Sequence, residues 1–213
     1  MAMTIKQKAK WFVDELEKAY PDAVCSLDYH KAYELLISVR LAAQCTDARV
    51  NLVTQDLFVE YPTLQSFADA DPSLLADSIR SCGLGNTKAR DIVAMANMLI
   101  NEYGGIVPDD LDTLLKLPGV GRKTANLIVG DVYGKPAVVC DTHCIRITNL
   151  LGLSDSKNPD KVERQLWNVL PMERANDFCH RLVLHGRAVC RARSPQCSIC
   201  RLRLHCPHGQ KAI

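Results

Sequence analysis

The stretch Leu117-Pro-Gly-Val-Gly-Arg-Lys-Thr-Ala-Asn126 decides the fold. It lies between two amphipathic segments, near 110 to 116 and 121 to 133, and its glycines at 119 and 121 allow a tight reversal with no acidic residue in the turn. A turn of this kind bares the amides that start the second helix. Those amides and the helix dipole favour an anion, so a phosphate fits there through the backbone, with Arg122 and Thr124 as added donors. An ordinary αα-hairpin with a glycine turn is the plainer alternative. A Walker A loop is excluded, because the G-x4-G-K-[ST] spacing is missing.

Outward from the hairpin the chain keeps a helical period. Ile5, Ala9, Phe12, Leu16 and Ala19 recur at spacings of four and three, and Tyr20-Pro21 ends that helix. The period returns in Leu35, Leu36 and Val39 and in Val50, Val53 and Leu57. Asp71-Pro72 supplies a cap and a first-turn proline, and Gly83 a stop. Ile92, Met95, Ala96 and Leu99 form another face, closed by Gly104-Gly105. Further helices are expected at 142 to 151, from Asn158-Pro159 onward, and from about Glu173 to Ala188. Ala137 to Cys140 alone looks strand-like, and it is too short for a sheet. About ten short helices without hairpin signals define an all-α protein.

The chain has 213 residues, 47% hydrophobic and 23% charged, which is enough apolar material for one or two cores and excludes a disordered tail. No run of about 18 apolar residues marks a membrane span, and the charged start shows no secretory signal. A cytoplasmic protein with no membrane partner is expected. In that reducing compartment clustered cysteines bind metal more readily than they pair. The net charge of +2 hides polarity: Phe178 to Ile213 carries Arg181, Arg187, Arg191, Arg193, Arg201, Arg203 and Lys211 and no acidic residue. That segment is either a solvated tail or a surface for phosphates.

Four of the ten cysteines read Cys190-x6-Cys197-x2-Cys200-x5-Cys206, a soft-ligand set within seventeen residues. Spacing alone leaves zinc and an iron–sulfur cluster both open. Cys25, Cys45, Cys82, Cys140, Cys144 and Cys179 have no ligand spacing and are expected to be small buried hydrophobes. Lys123, at the start of the second hairpin helix, is either a phosphate contact or a nucleophile. The second role requires desolvation or the helix dipole to favour its neutral form. Asp141, in Cys140-Asp-Thr-His143, is either a helix N-cap or a site carboxylate.

The ordered combination of the LPGVGRKTAN hairpin, the Asp of VVCDTH and the four-cysteine terminus resembles the endonuclease III family of the helix-hairpin-helix superfamily. LAAQCTD (41–47), GLGNTKAR (83–90) and LVLHGRAVC (182–190) extend the likeness over nearly the whole chain. The resemblance implies two helical domains. One is a six-helix domain at 25–135 that holds the helix-hairpin-helix motif; the other is a cluster domain of 1–24 plus 136–213, with a DNA cleft between them. It implies a [4Fe-4S] cluster on Cys190, Cys197, Cys200 and Cys206, shaping an arginine-rich loop against DNA. It also implies a bifunctional DNA glycosylase and abasic-site lyase acting on damaged duplex DNA in base-excision repair, as a monomer at the nucleoid of a prokaryote. Lys123 and Asp141 would be catalytic. DNA would be met by Gln44 in the vacated base space, Leu84 as a wedge, Gly119, Gly121, Arg122 and Thr124 at the hairpin, His143, Arg191 and Arg193. Gln44 as a helix-terminal amide and Leu84 as a loop hydrophobe are the alternatives. Leu115 and Ala42 replace an acidic residue and a serine common in relatives, which bears on lesion preference.

Overall fold

The computed structural model describes residues 3–212. In chain order the α-helices are α1 (Ile5–Ala19), α2 (Ala32–Ala42), α3 (Asp47–Glu60), α4 (Leu64–Ala68), α5 (Pro72–Ser78), α6 (Gly85–Tyr103), α7 (Leu111–Leu114), α8 (Arg122–Asp131), α9 (Thr142–Leu151), α10 (Pro159–Trp167), α11 (Ala175–Ala188) and α12 (Pro207–Lys211). Short 3₁₀ turns occupy Arg80–Cys82, Met172–Arg174 and Arg201–Leu204. Among the described residues there is no strand; Ala137–Cys140 is buried chain without a ladder partner. No helix is long and apolar enough to cross a membrane among the described residues.

Local chemistry sets the helix ends. Thr4 and Gln7 form a reciprocal capping box that opens α1, and Asp71 and Asn158 cap α5 and α10 just before a first-turn proline. Gly104 takes a left-handed conformation, φ +60°, to close α6.

The chain divides into two compact units, Cys25–Tyr133 and Met1–Val24 with Gly134–Ile213. In the first, α6 buries Ile92, Met95 and Leu99 and packs on α4 and α5, and α2 packs on α3, α6 and α8. The unit holds seven α-helices, α2 to α8, of which α4 and α7 have five and four residues. In the second, α1 buries Ala9, Phe12, Val13 and Leu16 and packs on α11. Arg174 pairs with Asp14 at 2.6 Å and with Glu17, and α11 packs on α9.

Candidate functional site

In the unit 25–133, α7 and α8 meet at Pro118 to Gly121. Asp110 caps α7 by accepting from the Thr113 amide at 2.9 Å, and Leu117 anchors the turn in the core. Gly119 has φ +73°, and its bare Cα lies over an ion pair. A Cβ there would come within 2.9 Å of Arg40 Cδ and Nε and 3.0 Å of Asp91 Cβ. Arg40, from α2, donates through Nε to Asp91 Oδ2 on α6 at 2.8 Å, and its second nitrogen lies 2.6 Å from the same oxygen. The pair holds two helices beneath the hairpin, and glycine is what lets the turn sit on it. Gly121 is the N-cap of α8 and offers no side-chain acceptor to the first-turn amides.

Arg122 and Lys123 stand exposed in that first turn, and Thr124 is half-buried.

Gln44 and Leu84 have φ of +59° and +53°, the non-glycine residues with positive φ among those described. Each such residue costs roughly 1–2 kcal/mol, and strain of this kind persists where the surroundings over-determine it. Both side chains are exposed, Leu84 by 56%. Of the six cysteines expected in the core, Cys82, Cys140, Cys144 and Cys179 are buried, whereas Cys25 and Cys45 are only half-buried. Cys25 precedes α2 and Cys45 follows it, in connecting loops that cannot be enclosed as fully as helix faces are.

In the unit of residues 1–24 and 134–213, Asp141 is half-buried and caps α9, accepting from the Cys144 amide at 2.6 Å. The N-cap reading of this residue is thus realised, and one oxygen is committed to it. His143 rests on Gly186 of α11, where a Cβ would lie 2.2 Å from Nδ1. Arg146 approaches the same nitrogen at 3.4 Å. Burial holds the His143 imidazole below the ordinary histidine value; Asp141 opposes this, and Arg146 and Arg187 reinforce it.

Cys190, Cys197, Cys200 and Cys206 line one cavity with apolar walls that include Ile147 and Leu202. Arg146 donates to Cys190 Sγ at 3.5 Å and the Gly209 amide to Cys206 Sγ at 3.3 Å, while His185 Nε2 lies 3.6 Å from Cys200 Sγ. Burial raises the Cys190 and Cys200 thiols above their usual range and lowers His185 to about 4. Four soft donors round one apolar cavity, with N–H donors at Cys190 and Cys206, fit a thiolate-bound group. Arg191, Arg193 and Arg201 of the same segment are exposed.

Arg40, Asp91 and Lys88 act in the hairpin unit but escaped the sequence reading. Lys88 left one signal: with Ile92, Met95 and Leu99 it continues a row at spacings of four, three and four, so a lysine stands in an apolar face.

The helical hairpin, its exposed lysine and the four-cysteine segment define a class of DNA-repair glycosylase. Residues 37–172 match the HhH-GPD superfamily base excision DNA repair protein family. The endonuclease III of Synechocystis sp. is 41% identical over 206 residues, 96% of this chain and 94% of that one. The endonuclease III of Bacillus subtilis is 40% identical over 210 residues, covering 98% and 95%. A solved structure of a trapped endonuclease III–DNA covalent intermediate superposes with a TM-score of 0.91 at 44% identity, covering 98% of this chain and 99% of that one. The chain belongs to the endonuclease III family, whose members are DNA glycosylases with abasic-site lyase activity.

Proposed function

We propose that this glycosylase and lyase removes oxidised or ring-saturated pyrimidines from duplex DNA and then nicks the abasic site, with Lys123 as nucleophile and Asp141 as the supporting carboxylate. The observation that carries the proposal is the exposed Lys123 in the first turn of α8, two residues past a glycine N-cap that supplies no side-chain acceptor. Those amides, with Arg122 and Thr124, bind a phosphate next to the target sugar. A damaged base leaves the stack at lower cost than a sound one, because its stacking is weaker. Leu84 wedges the step and Gln44 fills the vacated space, both on backbones already strained into place.

The neutral amine of Lys123 attacks C1′ as the C1′–N bond breaks, and one amine proton passes to the departing base. The second amine proton passes to O4′ as the C1′–O4′ bond breaks, which opens the sugar ring and leaves the imine. Removal of a C2′ proton then expels the 3′ phosphate oxygen, which nicks the strand. The Asp141 carboxylate stabilises the positive charge that develops on the sugar. His143 meets a neighbouring phosphate through its ring.

We further propose that the protein acts as a monomer in the prokaryotic cytoplasm, at the nucleoid, and that Cys190, Cys197, Cys200 and Cys206 hold a [4Fe-4S] cluster. The cluster supplies covalent cross-links rather than reaction chemistry; Arg191 and Arg193 then present their charges to the DNA backbone.

Borohydride trapping tests the reaction. The wild type should form a covalent adduct with duplex carrying an oxidised pyrimidine or an abasic site, and Lys123→Gln should form none. Absence of the wild-type adduct, or its persistence in Lys123→Gln, overturns the assignment. Anaerobically purified protein that contains zinc and no iron overturns the cluster.

A further inference from the structure

Lys88 lies one turn into α6 and is fully buried, 0% exposed. Its Nζ donates to the carbonyls of Leu41 at 2.7 Å, Ala43 at 2.8 Å and Cys82 at 2.9 Å, which uses all three ammonium donors. Burial lowers the affinity of this amine for its proton, with Cys82 and Cys45 opposing.

The choice of acceptors is informative. Leu41 and Ala43 belong to the last turn and C-cap of α2, where the helix presents orphan carbonyls, and Ala43 is bonded directly to Gln44. Cys82 ends the 3₁₀ turn that leads through Gly83 into Leu84. One ammonium therefore ties together the backbones that enter the two left-handed non-glycine residues among those described. At an apolar-row position a leucine or methionine fills the space without the cost of burying a charge, so the ammonium serves something other than packing.

We infer that Lys88 is a positioning residue that fixes the spacing of Gln44 and Leu84 before DNA arrives. The two side chains then enter the duplex as a preset pair, and neither backbone has to be driven into the left-handed region during binding. Lys88 itself touches no substrate. The inference rests on the duplex-probing roles proposed above for Gln44 and Leu84.

The test compares two reactions of the holoprotein below the melting temperature of every variant: base removal from a fully paired duplex with an oxidised pyrimidine, and β-elimination at an abasic site in single-stranded DNA. The first requires base extrusion and the second does not. Lys88→Met keeps the length and apolar stem but lacks the donors. It should lose roughly 10- to 100-fold on the paired duplex, the scale of charge-assisted hydrogen bonds lost, and change less than about 3-fold on the single strand. Equal loss in both reactions assigns Lys88 a general structural role and overturns the inference; so does unchanged duplex activity. If Lys88→Met does not fold, Lys88→Arg carries the test, because its guanidinium displaces the same carbonyls and should show the same split in milder form. Failure of the wild type to trap with borohydride sinks the proposed function instead, and is distinguishable because it appears without any change at position 88.

Discussion

The hairpin at 117–124 and the cysteine segment at 190–206 are both proposed to meet phosphates, and they get their order from different sources. The hairpin is held by the chain itself: Leu117 is buried, Arg40 and Asp91 pair directly under Gly119, and Lys88 fastens the neighbouring loops with three bonds. The cysteine segment has little core of its own. From Arg191 to Cys206 only Leu202 and Cys206 are buried, and the backbone order consists of the 3₁₀ turn Arg201–Leu204 and single bonds such as Gln196 to Val189 and Cys200 to Cys197. A segment with few buried apolar side chains opens at low free energy unless something else ties it. Pre-organisation in one region is thus a matter of packing, and in the other it would fall to the proposed cluster.

Removing a thiol should produce the largest effect on this contrast. Cys200→Ser is expected to lose the cluster and raise amide exchange across 190–206 by at least about a hundredfold, while exchange in α8 stays near wild type. DNA affinity should fall steeply with the loss of ordered arginines, and its salt dependence should become shallower as phosphate contacts disappear. If α8 loosens equally, the two regions are one cooperative unit and the contrast is wrong.

Gly119→Ala attacks the other side with a smaller effect. The left-handed φ alone costs an alanine about 1–2 kcal/mol, and the added Cβ meets Arg40 and Asp91 at 2.9–3.0 Å, so the ion pair or the turn must shift. Roughly tenfold weaker binding to duplex containing an uncleavable abasic analogue is expected, with iron content unchanged. Wild-type affinity would show that the hairpin does not carry the phosphate.

What was readable in the sequence was local. The helix period, the Asp71-Pro72 and Asn158-Pro159 caps and the glycine reversal each depend on residues within one turn of each other, and the all-helical class follows from them. Tertiary contacts were hidden. Arg40 and Asp91 are 51 positions apart, and Lys88 reaches carbonyls 47 and 45 positions away, acceptors that every residue carries and no motif marks. The seat of His143 on Gly186 was invisible for the same reason, since a missing Cβ matters only once two helices meet. The half-exposure of Cys25 and Cys45 shows the converse limit: residue type alone favours burial, but a loop position overrides it.

The smallest effect separates the regions by acid. The stretch 117–131 contains no histidine, whereas His143 in the other unit is held below the ordinary value of 6.5, chiefly by burial, with Asp141 opposing and Arg146 and Arg187 reinforcing. Because the folded state binds this proton less tightly than the unfolded chain, the stability it contributes is complete above about pH 6.5 and is lost as the pH falls through the folded value. One proton bounds the slope at about 1.4 kcal/mol per pH unit, and the partial exposure of the ring keeps the effect below that bound. His143→Gln removes this term and leaves every other titrating group in place. The urea midpoint should therefore drop further for the wild type than for His143→Gln between pH 7.5 and 5.5. The added loss should appear as faster exchange in α9 and α11 and not in α8. Equal drops in the two proteins would mean that the imidazole is solvated in the folded protein and that Gly186 does not fix its place.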